Sequence, residues 1–138
     1  MKSTKLLWTI LATLTFTLFL GVTASQPAMA KNGTTPTALR GTWHSTTSKS
    51  RYVMIIHKHS MSGYRYSKKL GRVVDRSHIS RSHLYSQYAG KGYYEIGLKG
   101  SDAVSDFKPM HYKGQKILYQ HLGYFGYGNR HMIWYRGK

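Results

Sequence analysis

Short runs of alternating and β-branched residues dominate the chain from about residue 50 onward. Residues 51–58, with Tyr52, Val53, Met54, Ile55 and Ile56 at their centre, have the composition of a strand. Residues 92–98 alternate, so that Tyr94, Ile96 and Leu98 share one face. Residues 116–122 and 130–136 complete the clearest set. The breaks between them read as hairpins. Lys113-Gly114 separates residues 110–112 from the run beginning at Lys116, and Gly128-Asn129 separates residues 123–127 from the last strand; Gly and Asn tolerate the positive φ of tight turns. No segment after Ala30 keeps a 3.6-residue apolar period over three turns, and frequent glycines interrupt it. Residues 74–87 are less clear and leave room for a short helix. Strands with turn signals every 8–12 residues or so predict an all-β domain, an antiparallel barrel or sandwich.

The first thirty residues follow a different pattern. Lys2 and Lys5 precede an uncharged run over residues 6–22, and the chain then turns small and polar toward Ala28-Met29-Ala30. This is the layout of a secretory signal peptide, a helix with cleavage expected before Lys31. An uncleaved anchor would need about 20 apolar residues, whereas this run is shorter and carries Thr9, Thr13, Thr15 and Thr17. The expected organisation is a signal peptide over 1–30, a flexible leader over 31–37 and a single β-domain over 38–138. With no Cys to acylate and no hydrophobic stretch over 134–138, retention at a cell surface is expected to be non-covalent.

Charge sharpens this picture. The whole chain carries +17, and loss of Lys2 and Lys5 with the leader leaves about +15 against four acids, Asp75, Glu95, Asp102 and Asp106. Such a field attracts polyanions: wall polymers such as teichoic acids, lipid head groups, or nucleic acid non-specifically. Exported domains of this size often rely on disulfides. Without Cys, this one must depend on packing, for which the chain's 12 Tyr, 3 Trp and 4 Phe, all but Trp8, Phe16 and Phe19 beyond the leader, provide the material. High net charge opposes collapse, but the aromatic content and the alternating segments favour a folded body after Thr37.

The segment Leu39-Arg40-Gly41-Thr42-Trp43 resembles the Gly-X-Trp opening of lipocalin-like barrels, in which the Trp closes one end beneath an Arg from a late strand. The resemblance implies a small up-and-down barrel, with Trp43 as the closing residue and Arg130 or Arg136 as its partner. The leader and the Tyr-rich basic body also look like small extracellular proteins of lactic acid bacteria. Neither likeness identifies a ligand.

Candidate chemistry was weighed against these bounds. Four acids offer little for a paired-carboxylate mechanism, with Asp102 and Asp106 reading as turn or cap residues. No Cys nucleophile, Gly-X-Ser-X-Gly elbow, phosphate-binding loop or His-Glu-X-X-His motif is present, so a non-enzymatic protein without a cofactor is expected. His57 and His59 lie two apart, on one face if both are in a strand, but a structural metal site normally needs four ligands; exposed polar residues are the simpler reading. Arg76-Ser77-His78 recurs as Arg81-Ser82-His83, and Lys68, Lys69 and Arg72 precede it. Lys68, Lys69, Arg72, Arg76 and Arg81 are thus the candidate polyanion-binding set, the guanidinium groups being suited to bidentate phosphate contact. Tyrosines interleave with the cations, as in Tyr64-Arg65-Tyr66 and Tyr135-Arg136; outward-facing rings could stack on sugars or bases, inward ones would pack the core. The expected function is a secreted basic protein held electrostatically on anionic envelope polymers or surfaces. The alternatives are a lipocalin-like carrier of small molecules and a non-specific exported nucleic-acid binder.

Overall fold

The computed structural model describes residues 33–122 and 130–137. The signal read over 1–30, Lys31 and Asn32, and the hairpin expected at Gly128-Asn129 lie outside the described residues. Nine strands form one antiparallel sheet: β1 (Gly41–Thr46), β2 (Ser50–His57), β3 (Ser60–Ser67), β4 (Arg72–Ser80), β5 (Leu84–Gly90), β6 (Tyr93–Leu98), β7 (Val104–Tyr112), β8 (Gln115–His121) and β9 (His131–Arg136). Their order is β4-β3-β2-β1-β9-β8-β7-β6-β5, and the sheet curls strongly into a half-barrel. The fold is all-β. Among the described residues no helix is long and apolar enough to cross a membrane.

The turns follow local chemistry. Lys113 and Gly114 both adopt positive φ, 48° and 75°, the combination a two-residue turn needs to match strand twist. That turn joins β7 to β8, as its sequence predicts. Residues 74–87 contain the end of β4, a short 3-10 helix of one turn over Arg81–His83, and the start of β5, so that most of the segment is strand.

That 3-10 turn shapes the architecture. Every neighbouring pair in the sheet is antiparallel. Eight such steps separate β4 from β5 across the sheet, so these two outermost strands run in the same direction. They are two halves of one long strand, bent at Arg81–His83, where it leaves β3 and joins β6. Strands commonly turn such corners by a bend or bulge, and a register shift beside Arg65 and Tyr66 adds to the curl. The sheet therefore comes round on itself through the chain, while β1 and β9 join its two halves at Trp43–Arg136 and His44–Tyr135.

The concave face carries the core. Trp43, Met54 and Ile56 from one half meet Leu84, Ile96, Phe107, Leu118 and Trp134 from the other, with Leu39 beneath them. Burying these side chains supplies the main drive to fold a chain without disulfides. Trp134 is fixed by donating from Nε1 to Gln120 Oε1 at 2.8 Å, and Gln120 in turn donates to Ser105 Oγ at 3.1 Å.

Residues 33–40 form a strap across one end of this face. Gly33 N–H donates to Leu84 O and Thr35 N–H to Lys58 O, while Thr35 Oγ1–H donates to His57 O at 2.7 Å. Arg40 donates to Thr35 O at 2.7 Å, and Thr35 is fully buried. The leader expected to be flexible over 31–37 is therefore, from Gly33 onward, tied to the sheet at both sides. A run of Thr, Gly and Pro reads as loose from composition alone; its order comes from partners more than twenty residues away.

Candidate ligand groove and basic face

Trp43 sits at the strapped end with no exposed surface. Its Nε1–H donates to Leu39 O at 2.7 Å, and the Arg136 guanidinium carbon lies 5.5 Å from its ring centroid, within cation–π range. Gly41 explains the spacing before Trp43. Its φ is +135°, and a Cβ there would stand 3.2 Å from an Arg136 guanidinium nitrogen, so glycine both permits the backbone and admits the arginine. Arg130 lies just before β9 and is exposed. It is about 20 Å from Arg136 at the rise of an extended strand. Of the two arginines, Arg136 is the one over Trp43.

Beyond this closed end the concave face opens into a groove of about 300 Å³. Tyr52, Met54, Met61, Phe107 and Trp134 line it, and Gly63 leaves part of its floor as bare backbone. At its mouth Arg65 Nε donates to Asp75 Oδ2 at 2.7 Å, with a second contact from the guanidinium at 2.6 Å. The Asp75 hydrogen bond, and then its charge, hold the Arg65 pKa above its ordinary value. Register puts both residues on the inner side of the sheet, opposite each other on β3 and β4.

The convex side of β1–β4 has the opposite character. Val53, Tyr64 and Arg76 stand in one cross-strand row, with Arg51, Tyr66 and Val73 in the next. Tyr64 is 37% and Tyr66 36% exposed, so both rings face outward between cations. From Gly41 to Ser80 the sole acid is Asp75, and it points into the groove, leaving this outer face without a carboxylate. The face continues past β1 to His44 and Tyr135, whose rings lie 6.3 Å apart. On the other half Glu95 and Asp106 are paired across β6 and β7 on the outer side, where Tyr85 donates to Glu95. Burial first, and that hydrogen bond second, raise the Tyr85 pKa. The outer face of β1–β4 thus carries cations without a carboxylate, whereas Glu95 and Asp106 stand on the outer side of the other half.

The five cations of the candidate polyanion set do not form one cluster. Lys68 and Lys69 occupy the β3–β4 turn and Arg72 starts β4; Lys68 donates to Lys49 O through its backbone and to Thr47 O through Nζ, binding this turn to the one between β1 and β2. Arg76 stands midway along β4, and Arg81 lies past its far end. Nine residues of extended chain separate Arg72 from Arg81, about 30 Å. They mark a stripe along one edge. Arg51 stands outside this set; only the pairing of β2 with β3 brings it beside Tyr66.

Two further expectations are corrected. His57 ends β2, whereas His59 lies in the two-residue turn before Ser60, so the two imidazoles do not share a strand face. Among the described residues no group of three or more His, Cys, Asp or Glu is placed to hold a metal ion. Asp102 is in a turn as expected, but Asp106 is a buried residue inside β7, opposite Glu95 and His121. Comparison with known proteins finds no matching family model, curated protein or solved structure.

Proposed function

We propose that this chain is an exported, non-enzymatic protein that associates electrostatically with anionic envelope polymers or surfaces through the convex face of β1–β4. The observation carrying this reading is the face itself: Arg51 and Arg76 beside outward Tyr64 and Tyr66, with Asp75, the sole acid of these strands, turned inward. Cations held at fixed strand spacing meet successive charges of a polymer, and exposed rings between them offer stacking surface. Export rests on the leader pattern over residues 1–30.

The binding is expected to be salt-sensitive, because screening falls from about 10 Å at 0.1 M to about 3 Å at 1 M. Washing producing cells decides the matter. At low salt and pH 5, where histidines add charge, the protein should stay with the cells, and molar salt should release most of it. Protein found free in the low-salt medium at pH 5 would remove the proposal.

A second reading, favoured by the open groove, is a lipocalin-like carrier. The eight-strand meander, counting β4 and β5 as one bent strand, and the Gly41-X-Trp43 end under Arg136 support that likeness. The groove volume lies at the lower end of the range for small-ligand sites. Trp134 lines it, so its fluorescence should respond saturably to an apolar dye. Gly63→Ala would place one methyl group on the groove floor, 3.3 Å from Ser77 Oγ and Val53 O, and is expected to weaken the dye by about tenfold by filling part of its space, while leaving cell retention unchanged. Absence of any saturable response would exclude the carrier.

A further inference from the structure

Four separate segments meet where the long strand bends. Arg81 N–H donates to His59 O at 2.8 Å, Lys99 N–H to His83 O at 2.8 Å, Gly33 N–H to Leu84 O at 3.0 Å and Thr35 N–H to Lys58 O at 2.9 Å. These bonds fix the strap, the β2–β3 turn, the 3-10 turn and the β6–β7 turn to one another. Between them is a concavity of about 390 Å³ lined by Gly33, Thr34, His59, Arg81, Ser82 and Lys99. No carboxylate lines it. Asp102 belongs to the same turn as Lys99 but is exposed and outside the lining.

The histidine here has a defined orientation. His59 Nδ1 is 2.9 Å from Gly33 O. A carbonyl oxygen can only accept, so Nδ1 carries the hydrogen and Nε2 is the nitrogen left to the site, an acceptor when neutral and a donor when the ring is protonated. The backbone is set with equal care: Arg81 has a positive φ of 32°, uncommon for a residue with a side chain. A Cβ at Gly33 would lie 3.1 Å from Arg81 O, so the strap can approach this closely only as glycine.

We propose that this corner is a binding site for a phosphodiester group. The inference rests on the electrostatic reading above and gives it a particular chemistry. Arg81 offers a planar fork for two oxygens and Lys99 a point charge, while Ser82 and Thr34 offer hydroxyl donors. A planar carboxylate is satisfied by the arginine alone. A tetrahedral anion presents oxygens in several directions and can use the arginine, the lysine and the hydroxyls together. The convex face then serves as a broad attractive surface, and the corner as the place where one repeating unit is gripped. In the sequence this site was half visible, as the second copy of the Arg-Ser-His echo; its partners His59 and Lys99 are supplied by turns remote in the chain.

The test compares charge-matched variants of the purified exported protein. Arg81→Gln with Lys99→Gln removes two cations from the corner, and Lys68→Gln with Lys69→Gln removes two from the β3–β4 turn. For poly(glycerol phosphate), the corner pair should lose about tenfold or more in affinity relative to the turn pair, as expected for lost charge-assisted hydrogen bonds. For poly-glutamate, which can use the Arg81 fork but has no oxygens for Lys99 and the hydroxyls at the same time, the difference between the two pairs should be much smaller. Arg81→Lys with Lys99 retained keeps the charge and should weaken the phosphate polymer through loss of the fork. The same selective loss on phosphatidylglycerol vesicles, with none on the soluble polymer, would support the site with a lipid as its source. Equal losses for the two pairs on every phosphate probe would overturn the corner while leaving the electrostatic reading in place. Failure of the unmodified protein to bind any of these polyanions would sink that reading itself.

Discussion

Trp43→Ala is expected to destabilise the domain by about 3–5 kcal/mol, the range for deleting a large buried aromatic ring. Total stabilities of domains this size are about 5–15 kcal/mol, so the variant should be partly unfolded or melt far earlier. Three losses coincide at this position. The ring is wholly buried, its N–H is the donor to Leu39 O, and its face is the surface under the Arg136 guanidinium. Trp43→Phe separates them. It restores most of the apolar volume but leaves a buried carbonyl without this donor, a cost of about 1–3 kcal/mol. Urea unfolding of both variants checks the order. A change below about 1 kcal/mol for Trp43→Ala would mean that the strapped end contributes little to holding the half-barrel closed.

Gly97→Ala should be comparably severe, for a different reason. A Cβ at Gly97 would lie 2.1 Å from Ala103 O and 2.7 Å from Val104 Cα. All of these are backbone atoms, at the point where Leu98 N–H donates to Ala103 O at 3.1 Å. Rotating a side chain cannot relieve the clash, so the β6–β7 turn must open. The expected cost is at or above the upper end of overpacking effects, about 3 kcal/mol. Gly90→Ala is the control: its φ is +89°, yet a Cβ there meets nothing within 4 Å. That change should cost only about 1–2 kcal/mol of backbone strain. Thermal melts of the two variants distinguish steric exclusion from dihedral preference, and equal shifts would refute the close-approach argument.

How far the sequence revealed this molecule depends on the range of the interaction. β2, β6, β8 and β9 were legible within a residue or two because β-branched and aromatic side chains alternate there, and the Lys113-Gly114 turn because its backbone demands are local. β3 and β4 were not singled out. Ser60–Ser67 and Arg72–Ser80 are mostly polar and exposed or half-buried, so they lack the apolar face that marks a strand. The order of the 33–40 strap and the alignment of Arg51 with Tyr66 were hidden for a related reason. Each is imposed by distant chain, through His57, Lys58 and Leu84 for the strap and through strand register for the face. Composition did convey the charge excess; only topology separates the acids from the outer face of β1–β4.

The position of β9 has a consequence for how the chain comes to its native state. β1 has β2 on one side and β9, the described strand most distant from it in sequence, on the other, and β9 brings Trp134 for the core and Arg136 for the Trp43 ring. A polypeptide emerging from its N-terminus can form β-hairpins early, but it has no native neighbour for the free side of β1 until β9 has followed. Such long sequence separation slows folding. The half-barrel therefore cannot close beside Trp43 before its most distant strand has come back to it.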